Sequence, residues 1–235
     1  MEHNVFAIFV LMHIKNKFDL KFFFELINIM KLFFDIESTG LPIQEGYNKY
    51  YPPEDLDKYE GARIIEIGVM ITDKNGNIVK GYNSIVKPDT FTKLNPKITE
   101  ITGITDEEIM NKGKNIKVVF KEIKELFKQA SCINSYNLIF DKNVLLSELY
   151  RIHDREFIRI INNISHECTM ELSKQILYIG SYKLQNVYKE LFKEDPCQDH
   201  RAFNDAVLCK DVYYKLKKIY VENKKLKNKN KNKNA

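Results

Sequence analysis

The dipeptide Asn75-Gly76 restricts the fold more than any other short feature of the chain, because it lies in a turn between two strand-like segments. Asn and Gly tolerate the positive φ angles that tight hairpin turns require. Residues 63–72 precede the turn and residues 78–86 follow it, and both segments are rich in β-branched side chains. We therefore predict an antiparallel hairpin, which the earlier apolar run 32–36 extends to a three-stranded meander.

Helical patterns dominate the rest of the chain. Thr105 and Glu108 have the spacing of a capping box, in which each side chain satisfies a backbone N–H group at a helix start. Residues 119–127 place apolar side chains on one helical face, before a short strand at residues 132–135. Strands followed by helices predict an α/β layered domain. The further predicted helices cover residues 95–101, 138–152, 170–177, 182–192 and 202–220.

Composition bounds the class of protein. The chain has 235 residues, of which 44% are hydrophobic, so it can bury the core of one domain. No apolar run approaches the roughly 18 residues that a membrane-spanning helix needs. The four cysteines include no Cys-x-x-Cys pair, which argues against a disulfide framework and a structural zinc site. We expect an intracellular protein, cytoplasmic or nuclear, that does not enter a membrane.

The formal net charge of +5 comes from the C-terminal end of the chain. Residues 223–235 contain six lysines and no acidic residue, so the rest of the chain has a net charge of −1. Because Lys-Asn repeats cannot bury enough apolar surface to fold, we predict that residues 223–235 form a disordered tail. The tail is either a solubilising segment or an electrostatic arm.

The N-terminal extension, residues 1–29, is rich in Phe, Ile, Leu and Met without clear periodicity. Either Met30 is the true start of the protein, or residues 18–30 form an amphipathic helix that packs on the domain. In both cases we assign the folded domain to residues 30–222.

Two acids mark the end of the first strand. Asp35 and Glu37 are two residues apart, so the pleat directs both carboxylates to the same face, where they favour a bound cation. The pair alone is a weak signal, because acids at strand ends are commonly solvated. A phosphatase nucleophile of the hhhDxDxT type is another interpretation, although that pattern requires Asp at the second position.

Two later segments also carry candidate groups. Asp141 follows Asn137 by four residues, which places both on one face if they lie in the same helix. Taken alone, Asp141 is an acid in a first helical turn, where the helix dipole favours it. His200 and Asp205 open the last helix, and in isolation His200 is most simply a surface histidine.

Taken together and in order, these segments resemble the DEDDh family of 3′→5′ exonucleases, in particular its DnaQ-like, proofreading branch. The similarity spans residues 30–220. Chance agreement of three spaced acidic motifs with matching flanks is improbable. The motifs that carry the resemblance are Phe33–Leu41, Arg63–Gly68, residues 95–105, Asn137–Asp141, residues 183–188 and His200–Asp205.

The resemblance implies an RNase H-like α/β fold, a mixed five-stranded sheet flanked by helices. In such a fold four carboxylates would lie together at one edge of the sheet, those of Asp35, Glu37, Asp141 and Asp205. There they would hold two ions, Mg²⁺ or Mn²⁺, about 3.5–4 Å apart, which stabilise charge on the attacking and leaving oxygens of a phosphodiester. His200 would be the general base that takes a proton from the attacking water.

The resemblance also assigns a binding site for the 3′ end. Ser38, Thr39 and Gly40 would place backbone groups near the terminal nucleotide, Leu41 would wedge against its base, and Asn137 would lie beside the site. Two positions depart from the family pattern. Tyr136 replaces a common His, and either stacks on a base or is a half-buried residue at a strand end. Ser38 replaces a commoner Thr, which affects substrate fit more than catalysis.

We therefore expect a metal-dependent 3′→5′ exonuclease that releases nucleoside monophosphates from single-stranded or frayed DNA, in proofreading, repair or replication. Its partners would be DNA 3′ ends and a polymerase, since the chain contains no polymerase-like segment. The alternatives are an RNA-trimming exonuclease and a nucleic-acid-binding or polymerase-associated scaffold without turnover. The complete set of four acids and a histidine counts against the scaffold.

Overall fold

The computed structural model describes residues 30–46, 48–89, 91–196 and 200–233, with side chains described up to residue 225. The N-terminal extension, including the segment predicted as an amphipathic helix, lies outside the described residues. The strands are β1 (Lys31–Ser38), β2 (Gln44–Gly46), β3 (Lys49–Tyr50), β4 (Ile64–Thr72), β5 (Ile78–Lys87), β6 (Lys114–Asn115), β7 (Cys132–Ser135) and β8 (Ser165–Cys168).

The helices lie close to the predicted positions, except that the helix Arg155–Asn163 was not predicted. They are α1 (Pro96–Thr102), α2 (Asp106–Lys112), α3 (Ile116–Gln129), α4 (Leu138–Arg151), α5 (Arg155–Asn163), α6 (Thr169–Ile176), α7 (Leu184–Phe192) and α8 (Ala202–Lys233). A short 3₁₀ helix, Leu56–Tyr59, precedes β4. Only one of the two contacts of the capping box forms. The Thr105 hydroxyl accepts from the Glu108 N–H, whereas the Glu108 carboxylate contacts Arg201 instead of the Thr105 N–H.

The predicted meander is present. Strand β1 pairs antiparallel with β4, and β4 pairs antiparallel with β5. In the turn, the Asp73 carboxylate accepts from the backbone N–H groups of Asn75 and Asn77, and Gly76 takes a φ of 88°. A residue without a Cβ adopts this conformation at little cost, which is why the sequence located the hairpin correctly.

The main sheet of the described residues has six strands, in the order β6-β5-β4-β1-β7-β8. The expected number was five. The additional strand is β6, whose two residues pair parallel with Val86 and Lys87 where the chain passes from α2 to α3. So short a segment carries no alternating pattern of its own, and only the path of the chain brings it to the sheet edge.

Helices cover both faces of this sheet. On one face Leu32, Phe34 and Ile36 pack with α3, whose buried residues Val119, Ile123 and Phe127 lie on the predicted apolar side. On the other face Phe33 and Met70 pack against α7 and α8. Because both faces are covered, β4 is buried at every position, and β1 lies at the centre of the layered fold.

Helix α8 continues to Lys233, into the segment for which a disordered tail from residue 223 was predicted. Lys and Asn carry no helix-breaking chemistry, and extending an existing helix avoids the unfavourable nucleation step. The buried positions of α8 end near Leu216, so the rest of the helix extends past the hydrophobic core.

Candidate active site

Strand β1 brings the first two acids to the same face, as their spacing predicts. Asp35 and Glu37 lie near the end of β1, and Asp205 lies in the first turn of α8. One carboxylate oxygen from each of these three residues falls within 4.8 Å of the other two. Among the described residues this is the group of acidic, His or Cys side chains with the geometry to hold a metal ion.

Asp141 adds a fourth carboxylate to this acidic cluster. It lies in the first turn of α4, with only 3% of its surface exposed, and the Ser135 hydroxyl donates a hydrogen bond to its carboxylate. Electrostatic repulsion couples it to Asp35 and Asp205. The predicted four-acid set, Asp35, Glu37, Asp141 and Asp205, is therefore gathered at one place.

Burial and mutual repulsion together oppose ionisation of this cluster. Burial is the larger cause for Asp35, with repulsion from Asp141 next, and the pKa of Asp35 lies well above its usual value. Burial, followed by repulsion from Asp205, raises the pKa of Glu37 to about 8. Burial also raises the pKa of Asp141 to about 7, although the Ser135 hydroxyl opposes the shift.

The donor set fits divalent cations that prefer oxygen ligands. All four clustered groups are carboxylates, and neither Cys nor His belongs to the group with metal-binding geometry. Mg²⁺ and Mn²⁺ favour such ligands, whereas zinc sites are built mainly from thiolates and imidazoles. A dication would also supply the positive charge that the cluster requires.

His200 lies at the rim of the cluster. Its Nδ1 is 4.0 Å from a carboxylate oxygen of Asp205, and its Nε2 is 3.5 Å from the side-chain nitrogen of Gln185. The side chain is 41% exposed, and its backbone has a φ of 48°, in the left-handed region. The predicted histidine is thus close to the acids and open to solvent.

Glu66 and Arg201 belong to the site, although sequence analysis gave neither residue a role. Glu66 is fully buried on β4, directly opposite Glu37 in the strand register. Its carboxylate accepts from the Arg201 guanidinium at 2.8 Å and from the Ala202 N–H at 3.0 Å. This contact ties the start of α8 to β4. The available signal was an acid inside an otherwise apolar strand.

The segment after β1 is held by one hydrogen bond within itself and by another to Gly61. The Ser38 hydroxyl donates to the Gly40 carbonyl, and the Thr39 hydroxyl donates to the Gly61 carbonyl. A Cβ on Gly40 would lie 2.8 Å from the Gly61 oxygen, so this position requires glycine. Leu41, which follows this segment, is 72% exposed.

Tyr136 and Asn137 differ in their surroundings. Tyr136 is buried in the core between the sheet and α8, and its hydroxyl donates to the Tyr182 carbonyl at 2.6 Å. This burial agrees with the interpretation of Tyr136 as a residue packed at a strand end, although Tyr136 also lines the cavity that His200 borders, so its contact with a base stays a prediction. Asn137 precedes α4, and its buried Oδ1 finds no hydrogen-bond partner among the described residues.

Gly68 sets the distance between α8 and the sheet. It lies opposite Asp35 in the strand register, and a Cβ there would lie 2.3 Å from the Phe203 nitrogen. We expect Gly68→Ala to displace the first turn of α8, and so to lower both turnover and melting temperature, with a cost of roughly 1–3 kcal/mol or more. Steady-state kinetics and thermal unfolding measure this. A Cβ on Gly46 would lie 4.0 Å from its nearest neighbour, so Gly46→Ala serves as the control and should behave like the unmodified chain.

The acidic cluster also predicts how stability depends on pH. Glu37 and Asp141 bind protons more tightly in the folded chain than in the unfolded one, because their folded pKa values of about 8 and about 7 exceed the usual values of 4.5 and 3.8. Their ionisation therefore destabilises the metal-free protein as pH rises from about 4 to about 8. Melting temperatures of the chain and of Glu37→Gln, measured in chelator, should diverge over this range in favour of the variant. Parallel curves would contradict the shift.

Comparison with known proteins agrees with the fold and the cluster. A model of the RNase T family, described as an exonuclease family, matches residues 32–213. The comparison with curated proteins gives no significant match. Among the described residues, no helix has both the length and the apolar character to cross a membrane.

Several solved nucleases share the fold at low sequence identity. E. coli exonuclease I in complex with a 5cy-dT13 oligonucleotide has a TM-score of 0.63 and 20% identity, covering 81% of this chain and 41% of that one. The nuclease domain of 3′hExo, a DEDDh family member bound to rAMP, has a TM-score of 0.61 and 15% identity, covering 80% and 92%. Cell-death related nuclease 4 has a TM-score of 0.59 and 13% identity, and the match covers 81% of this chain and 64% of that one. The predicted RNase H-like fold is confirmed.

Proposed function

Since the chain belongs to the RNase T exonuclease family, whose model spans residues 32–213, we propose that it is a metal-dependent 3′→5′ exonuclease. It removes nucleoside 5′-monophosphates from single-stranded or frayed DNA ends. One observation carries the proposal: three carboxylates within 4.8 Å of one another, with a fourth in the same cluster and a histidine at the rim.

Asp35, Glu37, Asp141 and Asp205 are the residues that hold the metal ions. Bound divalent ions, Mg²⁺ or Mn²⁺ and two to a site, supply Lewis-acid stabilisation of the charge that develops on the phosphate oxygens. Each carboxylate is fixed in place by a rigid element, either β1 or the first turn of a helix. The ligands are therefore positioned before the substrate arrives.

His200 acts as the general base and accepts the proton of the attacking water on a ring nitrogen. The Asp205 carboxylate, 4.0 Å from Nδ1, stabilises the imidazolium that results. The contact between Arg201 and Glu66 holds the backbone next to His200, so that the imidazole stays over the acidic cluster.

Ser38, Thr39 and Gly40 bind the 3′-terminal nucleotide through the backbone, and Leu41 contacts its base. Two observations support this assignment: hydrogen bonds rigidify the segment, and Leu41 is exposed beside it. Asn137 lies across the site with an acceptor that a nucleotide donor would satisfy. Tyr136 lines the same cavity as Asn137 and His200.

The choice between DNA and RNA rests on the resemblance to the proofreading branch, which favours DNA. RNA trimming is the second candidate, because one structural neighbour is bound to rAMP and another is described as recognising a histone mRNA stem-loop. A polymerase partner and an intracellular location follow from the proofreading interpretation.

An assay with two labelled strands tests the proposal. DNA and RNA of identical sequence carry the label at the 5′ end and are incubated with Mg²⁺, with Mn²⁺, or with chelator. We expect a ladder that shortens from the 3′ end, faster on DNA, and only when metal is present. Faster cleavage of RNA would assign the protein to the RNA-trimming group. Absence of cleavage on both strands would favour the non-catalytic scaffold.

The lysine-rich end of the chain is expected to supply affinity without chemistry. Residues 223–235 contain six lysines and lie beyond the last catalytic motif. Each engaged phosphate contributes about −0.7 to the slope of log K against log salt for single strands. With half of the lysines engaged, a chain ending at residue 222 should show a slope flatter by roughly 2 units, with unchanged turnover at saturation. Equal slopes would make the segment a solubilising appendage.

A further inference from the structure

Two cavities meet at Asn137 and Met170, which line both of them. The larger has a volume of about 770 Å³ and is bordered by His200, so it opens on the candidate active site. The smaller, of about 410 Å³, lies on the other side of Asn137. We call it the Asn143 pocket; its lining includes Asn48, Ile139, Lys142, Asn143, His166 and Glu171. The two cavities are therefore neighbours, and the Asn143 pocket lies beside the cavity that His200 borders.

The lining of the Asn143 pocket suits a flat, uncharged ligand with polar edges. Its floor includes Leu138 and Ile139, and Ile139 is 46% exposed. Asn48 and Asn143 bring side-chain amides, which both donate and accept hydrogen bonds. The lining brings one lysine, Lys142, and one acid, Glu171, which pairs with Lys174 at 2.7 Å, whereas a phosphate site would be distinctly basic.

A metal site or an anion site fits the Asn143 pocket poorly. The Cys168 thiol donates to the Tyr136 carbonyl, and the His166 Nε2 lies 2.8 Å from the Ile161 carbonyl. Burial, with a smaller effect of Lys142, lowers the pKa of His166 and favours a neutral ring. Among the described residues, neither Cys168 nor His166 belongs to a group of side chains with the geometry to hold a metal ion.

The boundary between the cavities carries an unsatisfied acceptor. The Asn137 Oδ1 is buried and has no hydrogen-bond partner among the described residues, which is costly unless a ligand or water supplies a donor. The nucleobases carry N–H donors on their edges, and the amides of Asn48 and Asn143 complement base edges in the same way.

We propose that the Asn143 pocket binds one nucleobase of the strand whose 3′ end is being hydrolysed. Ile139 contacts the face of the base, while Asn143 and Asn48 hydrogen-bond its edge. This inference rests on the proposed exonuclease function and extends it, because a base that is still paired could not enter the pocket. Terminal base pairs must then open before the strand is cut, and selection for unpaired ends follows from the shape of the protein.

Abasic substitutions combined with Asn143→Ala test the pocket. Tetranucleotides that each lack the base at one position are compared with the intact strand, on both the unmodified chain and the variant. Binding is measured by anisotropy with Ca²⁺ in place of Mg²⁺, and strand integrity is checked on a gel. We expect base removal at one position to weaken binding roughly 5- to 50-fold in the unmodified chain, as for the loss of one base contact.

In Asn143→Ala the same base removal should have little further effect, since the variant and the abasic site remove the same contact. Additive effects at every position would overturn the proposal. Asn162→Ala, an exposed Asn on α5, serves as the matched control and should bind like the unmodified chain.

A small substrate separates failure of the pocket from failure of the proposed function. The p-nitrophenyl ester of thymidine 5′-monophosphate contains a single nucleotide and cannot fill two positions at once. We expect Asn143→Ala to hydrolyse this ester at the unmodified rate with Mn²⁺, while its KM for the tetranucleotide rises. An equal loss on both substrates would contradict a role at a neighbouring nucleotide. If the unmodified chain hydrolyses neither substrate, the exonuclease assignment fails. The binding measurements with abasic tetranucleotides on the unmodified chain and on Asn143→Ala still test the pocket.

Discussion

Turnover is expected to fall below detection when Asp35, Glu37 or Asp205 is replaced by alanine, while the fold remains intact. Each substitution removes one carboxylate from a group whose oxygens lie within 4.8 Å of one another, and with it a ligand for the divalent ions. Release of mononucleotides from a labelled strand measures the rate. Circular dichroism and thermal unfolding report on the fold. Asp57→Ala, an exposed acid outside the cluster, should retain full activity.

The same variants have a second expected property, which separates a ligand role from a structural one. In the metal-free protein at pH 8 each substitution relieves repulsion among buried carboxylates, so the melting temperature should rise. Stabilisation by added Mg²⁺ or Mn²⁺ should diminish at the same time. A variant that lost activity together with stability in chelator would show that its carboxylate supports the fold, and the assignment as a metal ligand would be wrong.

The local features of the fold were predictable because their causes are local. The turn at Asn75-Gly76 depends on a residue that takes a φ of 88°, and the apolar face of α3 depends on spacing alone. The acid pair of β1 was predictable for the same reason, since a period of two residues fixes the face. The family model supports the exonuclease interpretation of that pair over the phosphatase interpretation.

The features that sequence analysis missed depend on distant contacts. Glu66 and Arg201 are 135 residues apart, and nothing near Glu66 in the chain indicates its partner. The sequence left two interpretations of Tyr136 open, because its burial depends on the distant carbonyl of Tyr182 and on packing against α8. A two-residue strand such as β6 exists only because the chain between α2 and α3 passes the sheet edge.

Replacement of His200 by alanine should lower the rate by roughly 10²–10⁴-fold, as for the loss of a general base. Because His200 has a φ of 48°, alanine there also costs backbone strain, whereas asparagine tolerates the left-handed region. His200→Asn is therefore the sharper variant. His153→Asn is its matched control, since His153 is exposed on a loop and has a φ of 58°.

The His200 variants should behave differently if His200 is the general base than if it has only a structural role. If His200 accepts the proton, added imidazole should restore part of the lost rate in His200→Ala, and stabilisation by Mg²⁺ should persist because the four carboxylates are intact. The loss should appear in kcat more than in KM, since the side chain lies at the rim of the cluster, 4.0 Å from Asp205. Near-normal rates in His200→Asn at pH 7 would exclude His200 as the base, and the attacking water would then have to lose its proton to solvent.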